Sequence, residues 1–533
     1  SGRLGCGTLS TMNTPMNTAG HSGNRVVVIG SGFGGLAAAI RLQARGYKVT
    51  LLEQRDQPGG RAYVYRDNGY VFDAGPTVVT APYLFEELFA LCGRKMDDYL
   101  TMLPVSPFYR VRFHDGRYFE YSGNTEQMVE QIRKWSPEDV DGYLRFVAES
   151  ERICKVGFEQ LGDVPFHNLT DMLKIVPQML KLRSHLSVFS LVKSYIKHPD
   201  LRVLLSFHPL LVGANPFQTT SIYALILYLE RKWGVWFAQG GTGAIIKALV
   251  DLFVEIGGDI RLNAKVEQIL LESGGLKPKA KGVRLSGGAE IPADLVISNA
   301  EVGFTYRYLL PEDARRKWTN EKVENTRYSM GLFVAYFGTK KRYEDCAHHT
   351  IALGPRYREL LDDIFTNKTL ADDFSLYVHR PTATDLSLAP PGGDAFYVLS
   401  PVPHLGADRP VDWQSEGERY RDKIFAYLEQ TMLPGLRSEI VTSRFITPNT
   451  FRDELSSMYG SGFSVEPVLL QSAYFRPHNQ SEDVEGLYIV GGGTHPGAGM
   501  PGVLSTAKVV DRLIPRLPGA PQGAAIAGSH AGR

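Results

Sequence analysis

Cysteine is scarce in this chain, with four in 533 residues. Cys6, Cys92, Cys154 and Cys346 are scattered, and no Cys-x-x-Cys pair occurs. That argues against a disulfide framework and a thiolate metal site and fits a reducing cytosol. Long apolar runs are missing as well: none approaches the ~18 residues a bilayer-spanning helix needs. Charge of one sign is not in excess. Lys and Arg number 58 and Asp and Glu 57, a net charge of +1, so no nucleic-acid partner is indicated. Histidine offers little for a metal. His348 and His349 are neighbours whose side chains are expected to diverge, and the sequence shows no third ligand beside them, so no metal is expected. Residues 1–23 lack the apolar core of a signal peptide, and Met12 and Met16 are candidate native starts. Together with the Gly/Ala-rich stretch at 516–533, they are read as disordered tails.

What the chain has is length and patterned glycine. At 533 residues it exceeds one compact core, so two domains are expected. Residues 26–61 read VVVIGSGFGGLAAAIRLQARGYKVTLLEQRDQPGGR. A β-branched run at 26–29 meets Gly30-x-Gly32-x-x-Gly35, an Ala/Leu-rich helical stretch follows, and a second apolar run ends at Glu53. Gly30 allows the tight turn, Gly32 lets a pyrophosphate approach the backbone, and Gly35 lets helix and strand pack closely. Gly34 lies within the same turn. The helix N-terminus offers the phosphates free N–H groups and a partial positive charge. Glu53 stands where a carboxylate accepts both ribose hydroxyls. The pattern does not separate NAD from FAD. The next residues narrow it: Gly59-Gly60-Arg61 puts bare backbone and a guanidinium near the same pyrophosphate. Asp73-Ala74-Gly75-Pro76-Thr77 then returns through small residues, against which a flat ring can lie.

These segments resemble the flavin amine oxidase group and, within it, the bacterial-type phytoene desaturases. The resemblance runs from about residue 24 to about residue 515. Its most specific piece is GLYIVGGGTHPGAGMPG at 486–502; others are SFHPLLVGANPF at 206–217, WGVWF at 233–237, GGTG at 240–243 and FSVEP at 463–467. The C-terminal run reads independently as a strand at 487–490, a glycine stop and a helix at 503–513. Residues 497–502 form a second literal GxGxxG, but His495 and Pro496 part it from the strand and no acid-ended strand follows. It is therefore not a second dinucleotide site, and His495 is read as a ring that orders the loop.

The resemblance implies an α/β fold: a Rossmann-like FAD-binding domain, discontinuous in sequence, beside an α+β substrate domain. Residues 24–75, 230–300 and 480–515 are assigned to the first. Residues 76–229 and 301–479 are assigned to the second, which would also associate with the membrane. A helix is expected at 244–256, and strands at 259–266 and 294–299. By resemblance the backbone at Val266 meets the adenine, Asn299 lies near the cofactor, and Gly492, Gly493, Gly502 and Val503 pack against the flavin and its chain.

The implied activity is desaturation of a C40 carotene, phytoene, to neurosporene or lycopene, with hydride transfer to FAD. Oxygen or a membrane quinone is the expected electron acceptor, because a single dinucleotide motif leaves no resident pyridine nucleotide. Alternatives are a C30 or modified-carotene desaturase, a carotene isomerase, or an isoprenoid-binding escort protein without redox work. Glu149 and Arg152 are the weak catalytic candidates. Related enzymes carry an Asp and an Arg in this helix, but the aligned positions here hold Ala148 and Glu151, so surface charge is the preferred reading. Residues 169–205 combine apolar positions (Leu173, Ile175, Val176, Met179, Leu180, Leu191, Val192 and Ile196 among them) with Lys174, Lys181, Arg183, Lys193 and Lys197 and almost no acid. On the residues alone such a segment suits an amphipathic helix packed on the core slightly better than an anionic bilayer surface; the lipid-soluble carotene that the resemblance implies turns the reading to the surface, so the protein is expected in the cytoplasm, peripherally attached to the inner face of the membrane.

Overall fold

The computed structural model describes residues 23–166, 168–273 and 275–517. The tails expected at 1–23 and 516–533 lie outside these residues, apart from Gly23, Arg516 and Leu517.

Five parallel strands form the first sheet, in the order Asp259–Arg261, Lys48–Leu52, Arg25–Ile29, Leu295–Ser298 and Leu487–Ile489. The central strand is apolar from Val26 to Ile29 because both its faces are covered there. Val26 and Val28 pack under the helices Phe33–Ala44, Thr242–Glu255 and Met500–Leu513. Val27 and Ile29 pack on the other side against Val266, Ile269, Val283 and Tyr306. Strands distant in sequence thus share one sheet, and their C-terminal ends open on one rim.

One expected strand is broken. Residues 259–266 do not form a single strand. The parallel strand stops at Arg261, Asn263 turns at a positive φ of 54°, and Val266–Glu272 begins a separate antiparallel sheet. The corner is held by Ala264 N–H donating to the Glu53 carbonyl at 2.8 Å.

The second sheet has seven strands, in the order Ile440–Ile446, Gly331–Thr339, Asp394–Val402, Leu376–His379, His349–Ala352, Tyr109–Arg112 and Tyr118–Tyr121. The pairs are antiparallel except His349–Ala352 with Tyr109–Arg112. One face packs on the helix Trp413–Thr431. The other joins a large core with the helices Thr125–Trp135, Val140–Cys154, Val188–Lys193, Pro199–Ser206 and Leu225–Trp233.

The stretch 169–205 is not one surface. Its helices Val188–Lys193 and Pro199–Ser206 and the turn between them are core: Leu191, Val192, Ile196, Leu201 and Leu204 are buried. Nor are its cations unopposed, since Lys197 Nζ pairs with Glu138 at 3.0 Å and Arg183 with Glu149 at 3.6 Å. Only the helix Leu169–Lys181 turns apolar side chains outward, with Leu173 61% and Leu180 58% exposed.

Candidate active site

A cavity of about 530 Å³ runs from the rim of the five-stranded sheet to the inner face of the seven-stranded one. At the sheet end its wall is glycine. Gly30 turns at φ +90°, its N–H donating to the Leu52 carbonyl at 2.7 Å. Behind it, Gly35 is obligatory for packing, because a Cβ there would stand 2.0 Å from the Gly30 carbonyl oxygen. Two helices begin at this wall, Phe33–Ala44 after Gly32 and Met500–Leu513 after Gly499, and neither has a side-chain cap. Their first N–H groups are left for an anion.

Every residue assigned from the sequence to the cofactor lines this cavity, Gly35 excepted. Glu53, 4% exposed, accepts from Ser31 N–H at 3.0 Å and Ser31 Oγ at 2.6 Å through one oxygen, and from Arg55 N–H at 3.0 Å through the other. Asn299 lies flat over the turn: a Cβ at Gly34 would meet its Oδ1 at 2.6 Å, and one at Gly32 its Nδ2 at 2.9 Å. Arg61 donates to the Gly462 carbonyl at 2.9 Å and to Ser457 Oγ at 2.8 Å, tying the two walls of the cavity together. Asp73 accepts from Thr242 and Gly243 N–H at 2.7 and 3.0 Å, holding the start of the helix Thr242–Glu255. Burial nevertheless outweighs those donors and lifts its carboxyl to about 6.

Several contributors were not read from the sequence. Arg476 is buried and donates to the carbonyls of Gly492 at 2.6 Å, Thr494 at 3.1 Å and Val465 at 3.0 Å, so it shapes the C-terminal glycine loop. Glu301 accepts from Ser464 Oγ and Phe304 N–H, and burial pushes its carboxyl up. Glu230, 1% exposed, lines the far chamber; Tyr109 O–H donates to it at 2.6 Å and His208 Nε2 stands 3.4 Å away. A single carboxylate in the apolar helix Leu225–Trp233 was the available signal. His495, read from the sequence as the ring that orders the loop, donates through Nε2 to the Leu161 carbonyl at 2.9 Å, and burial pulls its ring down to about 4.

The pair Glu149 and Arg152 does not reach the cavity. Glu149 is buried, so it is not the surface charge expected; exposed Arg152 holds its Oε2 at 2.9 Å. The expectation that His348 and His349 diverge without a third partner is also overturned. Their ring centroids are 4.4 Å apart, and His379 joins them from the neighbouring strand. The sheet register, unread in the sequence, brings it there.

The far chamber is walled by hydrocarbon: Phe207, Leu210, Leu211, Ile222, Leu225, Ile226, Leu332, Ile351 and Leu353, with Met172, Ile175 and Met179 of the helix Leu169–Lys181 over it. Glycine-walled anion sites at one end and an apolar chamber at the other are the two halves of a flavin oxidoreductase site.

Comparison with known proteins agrees. The profile for flavin containing amine oxidoreductase matches residues 33–510. The chain belongs to that family. Among curated relatives, it is 52% identical over 490 residues to a lycopene-forming phytoene desaturase of Pseudescherichia vulneris, covering 92% of this chain and 99% of that one. It is 47% identical over 497 residues to a neurosporene-forming phytoene desaturase of Rhodobacter capsulatus, covering 93% and 94%. Within the flavin oxidoreductases it is thus a member of the phytoene desaturases. Solved structures share the fold at low identity. Cyclohexylamine oxidase from Brevibacterium oxydans superposes with a TM-score of 0.58 at 14% identity, over 92% of this chain and 98% of that one. A putrescine oxidase bound to putrescine gives 0.60 at 13%, over 92% and 98%.

Proposed function

We infer that this protein is an FAD-dependent phytoene desaturase that converts a C40 carotene to neurosporene or lycopene. The carrying observation is the single cavity that joins the glycine-walled cradle to a hydrocarbon chamber. The residues present fit FAD. Two uncapped helix starts meet the cradle, Glu53 keeps lone pairs for ribose hydroxyls, and Gly32, Gly60 and Gly492 leave backbone bare at its wall. Val266, Asn299, Gly75, Pro76, Thr77, Gly493, Gly502 and Val503 complete the enclosure on the same ground.

FAD, when bound, supplies the hydride acceptor that no side chain can provide. The chain supplies the rest. Each new double bond removes a hydride and a proton from adjacent carbons. The chamber walls hold the chain extended and exclude water from the charge that develops on it. An allylic cation sheds its proton readily, and Glu230 offers the chamber a buried carboxylate held by Tyr109.

The substrate reaches the chamber from lipid. The helix Leu169–Lys181 supports this reading, because Met172, Ile175 and Met179 face the cavity while Leu173 and Leu180 face outward. Beside it, Leu469, Leu470 and Phe475 are also exposed. An apolar rim over an apolar chamber lets a hydrocarbon pass without crossing water, where each CH₂ would cost ~0.8 kcal/mol. The protein then works as a peripheral protein on the cytoplasmic face of the membrane, and oxygen or a membrane quinone takes the electrons. The test is to purify the protein, read its flavin spectrum, and incubate it with phytoene liposomes. Yellow protein and more unsaturated carotenes are expected. Colourless protein that binds phytoene unchanged would make it an escort protein instead.

A further inference from the structure

Behind the chamber wall, three imidazoles meet. The strands His349–Ala352 and Leu376–His379 are antiparallel neighbours with His349 opposite His379, and His348 precedes the first of them. One ring nitrogen from each lies within 4.8 Å of the others. All three are sealed from solvent, with exposures of 6%, 0% and 1%. Two rings are anchored from outside: His348 Nδ1 is 2.6 Å from Thr384 Oγ1, and His349 Nδ1 is 2.7 Å from the Tyr377 hydroxyl. On the inside, Nε2 of His348 and Nε2 of His349 have no hydrogen-bond partner, and neither His379 nitrogen makes a hydrogen bond of good geometry, the His348 carbonyl lying near that ring. A buried polar atom left unpaired costs ~1–3 kcal/mol, so this cluster is expensive unless something fills it.

We propose that His348, His349 and His379 bind one divalent transition-metal ion of the zinc class, in a buried site that clamps two strands of the substrate sheet. Three imidazole nitrogens without a carboxylate suit zinc and its neighbours and not magnesium or calcium. Asp394 is not available as a ligand: it accepts from Thr382 Oγ1 at 2.7 Å and Tyr343 N–H at 2.7 Å, and pairs with Arg380 at 3.2 Å. That pairing also offsets the guanidinium charge nearest the site. Zinc–nitrogen bonds of ~2.0–2.1 Å set ligand nitrogens ~3.4 Å apart, so small ring rotations close the observed spacing. The outer contacts match what ligating histidines need, an oxygen on the far nitrogen that fixes the tautomer. With three protein ligands, a water completes the tetrahedron.

The hydrogen bonds lead on to the cofactor end. Tyr377 Oη is also 2.6 Å from Thr77 Oγ1, and Thr77 lines the cavity. Metal at the cluster therefore fixes Tyr377, and through it Thr77.

The test is metal analysis of FAD-loaded protein, made without a histidine tag in zinc-supplemented medium and passed over a desalting column. About one equivalent of zinc is expected, falling to below about a tenth in His379→Leu with FAD content and circular dichroism unchanged. Cobalt(II) added to metal-free protein should give the visible bands of a tetrahedral nitrogen site. If His379→Leu does not fold, X-ray absorption of the wild type decides, since imidazole scattering at ~2.0 Å is expected. The proposal is overturned by wild-type protein that carries no metal and gives no cobalt bands. Retention of the metal in folded His379→Leu, or a bound metal without imidazole scattering, would overturn it equally.

Discussion

Glu53 has a structural task before any cofactor arrives. Its carboxylate accepts the Ser31 N–H and hydroxyl and the Arg55 N–H, which sets the glycine turn at the start of the helix Phe33–Ala44. A cation in its place loses these three hydrogen bonds and faces the positive end of that helix. Glu53→Arg should therefore purify without flavin colour; a variant with wild-type flavin content would remove Glu53 from the cofactor site. His495 makes a prediction about acid. Burial lowers its ring to about 4, against ~6.5 in an unfolded chain. Below the unfolded value the unfolded chain takes up the proton first. The stability is therefore fully present above pH ~6.5 and is lost as pH falls toward ~4, by up to roughly 3 kcal/mol. Denaturant midpoints should drop more steeply over this window in the wild type than in His495→Gln. Parallel slopes would mean that the ring is not part of the acid lability.

Among the elements, the helix Leu169–Lys181 is the one to mutate for membrane engagement. Leu173 and Leu180 face outward, and each side chain buried in lipid is worth ~1.5–3 kcal/mol. Leu173→Asp with Leu180→Asp should cut flotation with anionic liposomes at least about tenfold and slow desaturation, with flavin content unchanged. Flotation equal to wild type would move the membrane face elsewhere. The stretch also shows what the sequence could and could not reveal. Apolar residues among lysines look alike whether they face lipid or core, so 169–205 read as one surface although Leu191, Val192 and Ile196 are buried. Elements bounded by glycine were legible, because Gly30 and Gly491 must turn where φ is positive and only glycine does so freely. The corner at Asn263 hid inside an unbroken apolar alternation. His379 was invisible beside His348 and His349, because only strand register makes residues thirty positions apart neighbours. Arg476 gave no signal either: its partners are backbone carbonyls, which leave no trace in side-chain pattern.

At the scale of the whole molecule, the two glycine motifs serve one cavity. The run at 497–502 resembles a second dinucleotide fingerprint, yet Gly502 packs its backbone on Gly497, with a built Cβ only 2.6 Å from that carbonyl oxygen. Gly499, Gly502 and Val503 line the same cavity as Gly30 and Gly32. Among the described residues, the parallel sheet has one glycine turn followed by a helix and an acid-ended strand, which is the arrangement a nicotinamide dinucleotide would need a second time. Under the proposed function, the two electrons released with each new double bond pass to an acceptor that visits the cavity. An apolar chamber beneath an exposed apolar rim favours acceptors that dissolve in lipid, which oxygen and quinones do and NADP⁺ does not. Desaturation in phytoene liposomes should proceed in air, and should proceed without oxygen once a quinone is added to the lipid. NADP⁺ alone, under anaerobic conditions, should leave the phytoene unchanged. Strict dependence on NADP⁺, with oxygen and quinone both inert, would require a nucleotide site in addition to this cavity and would reject the assignment of the acceptor.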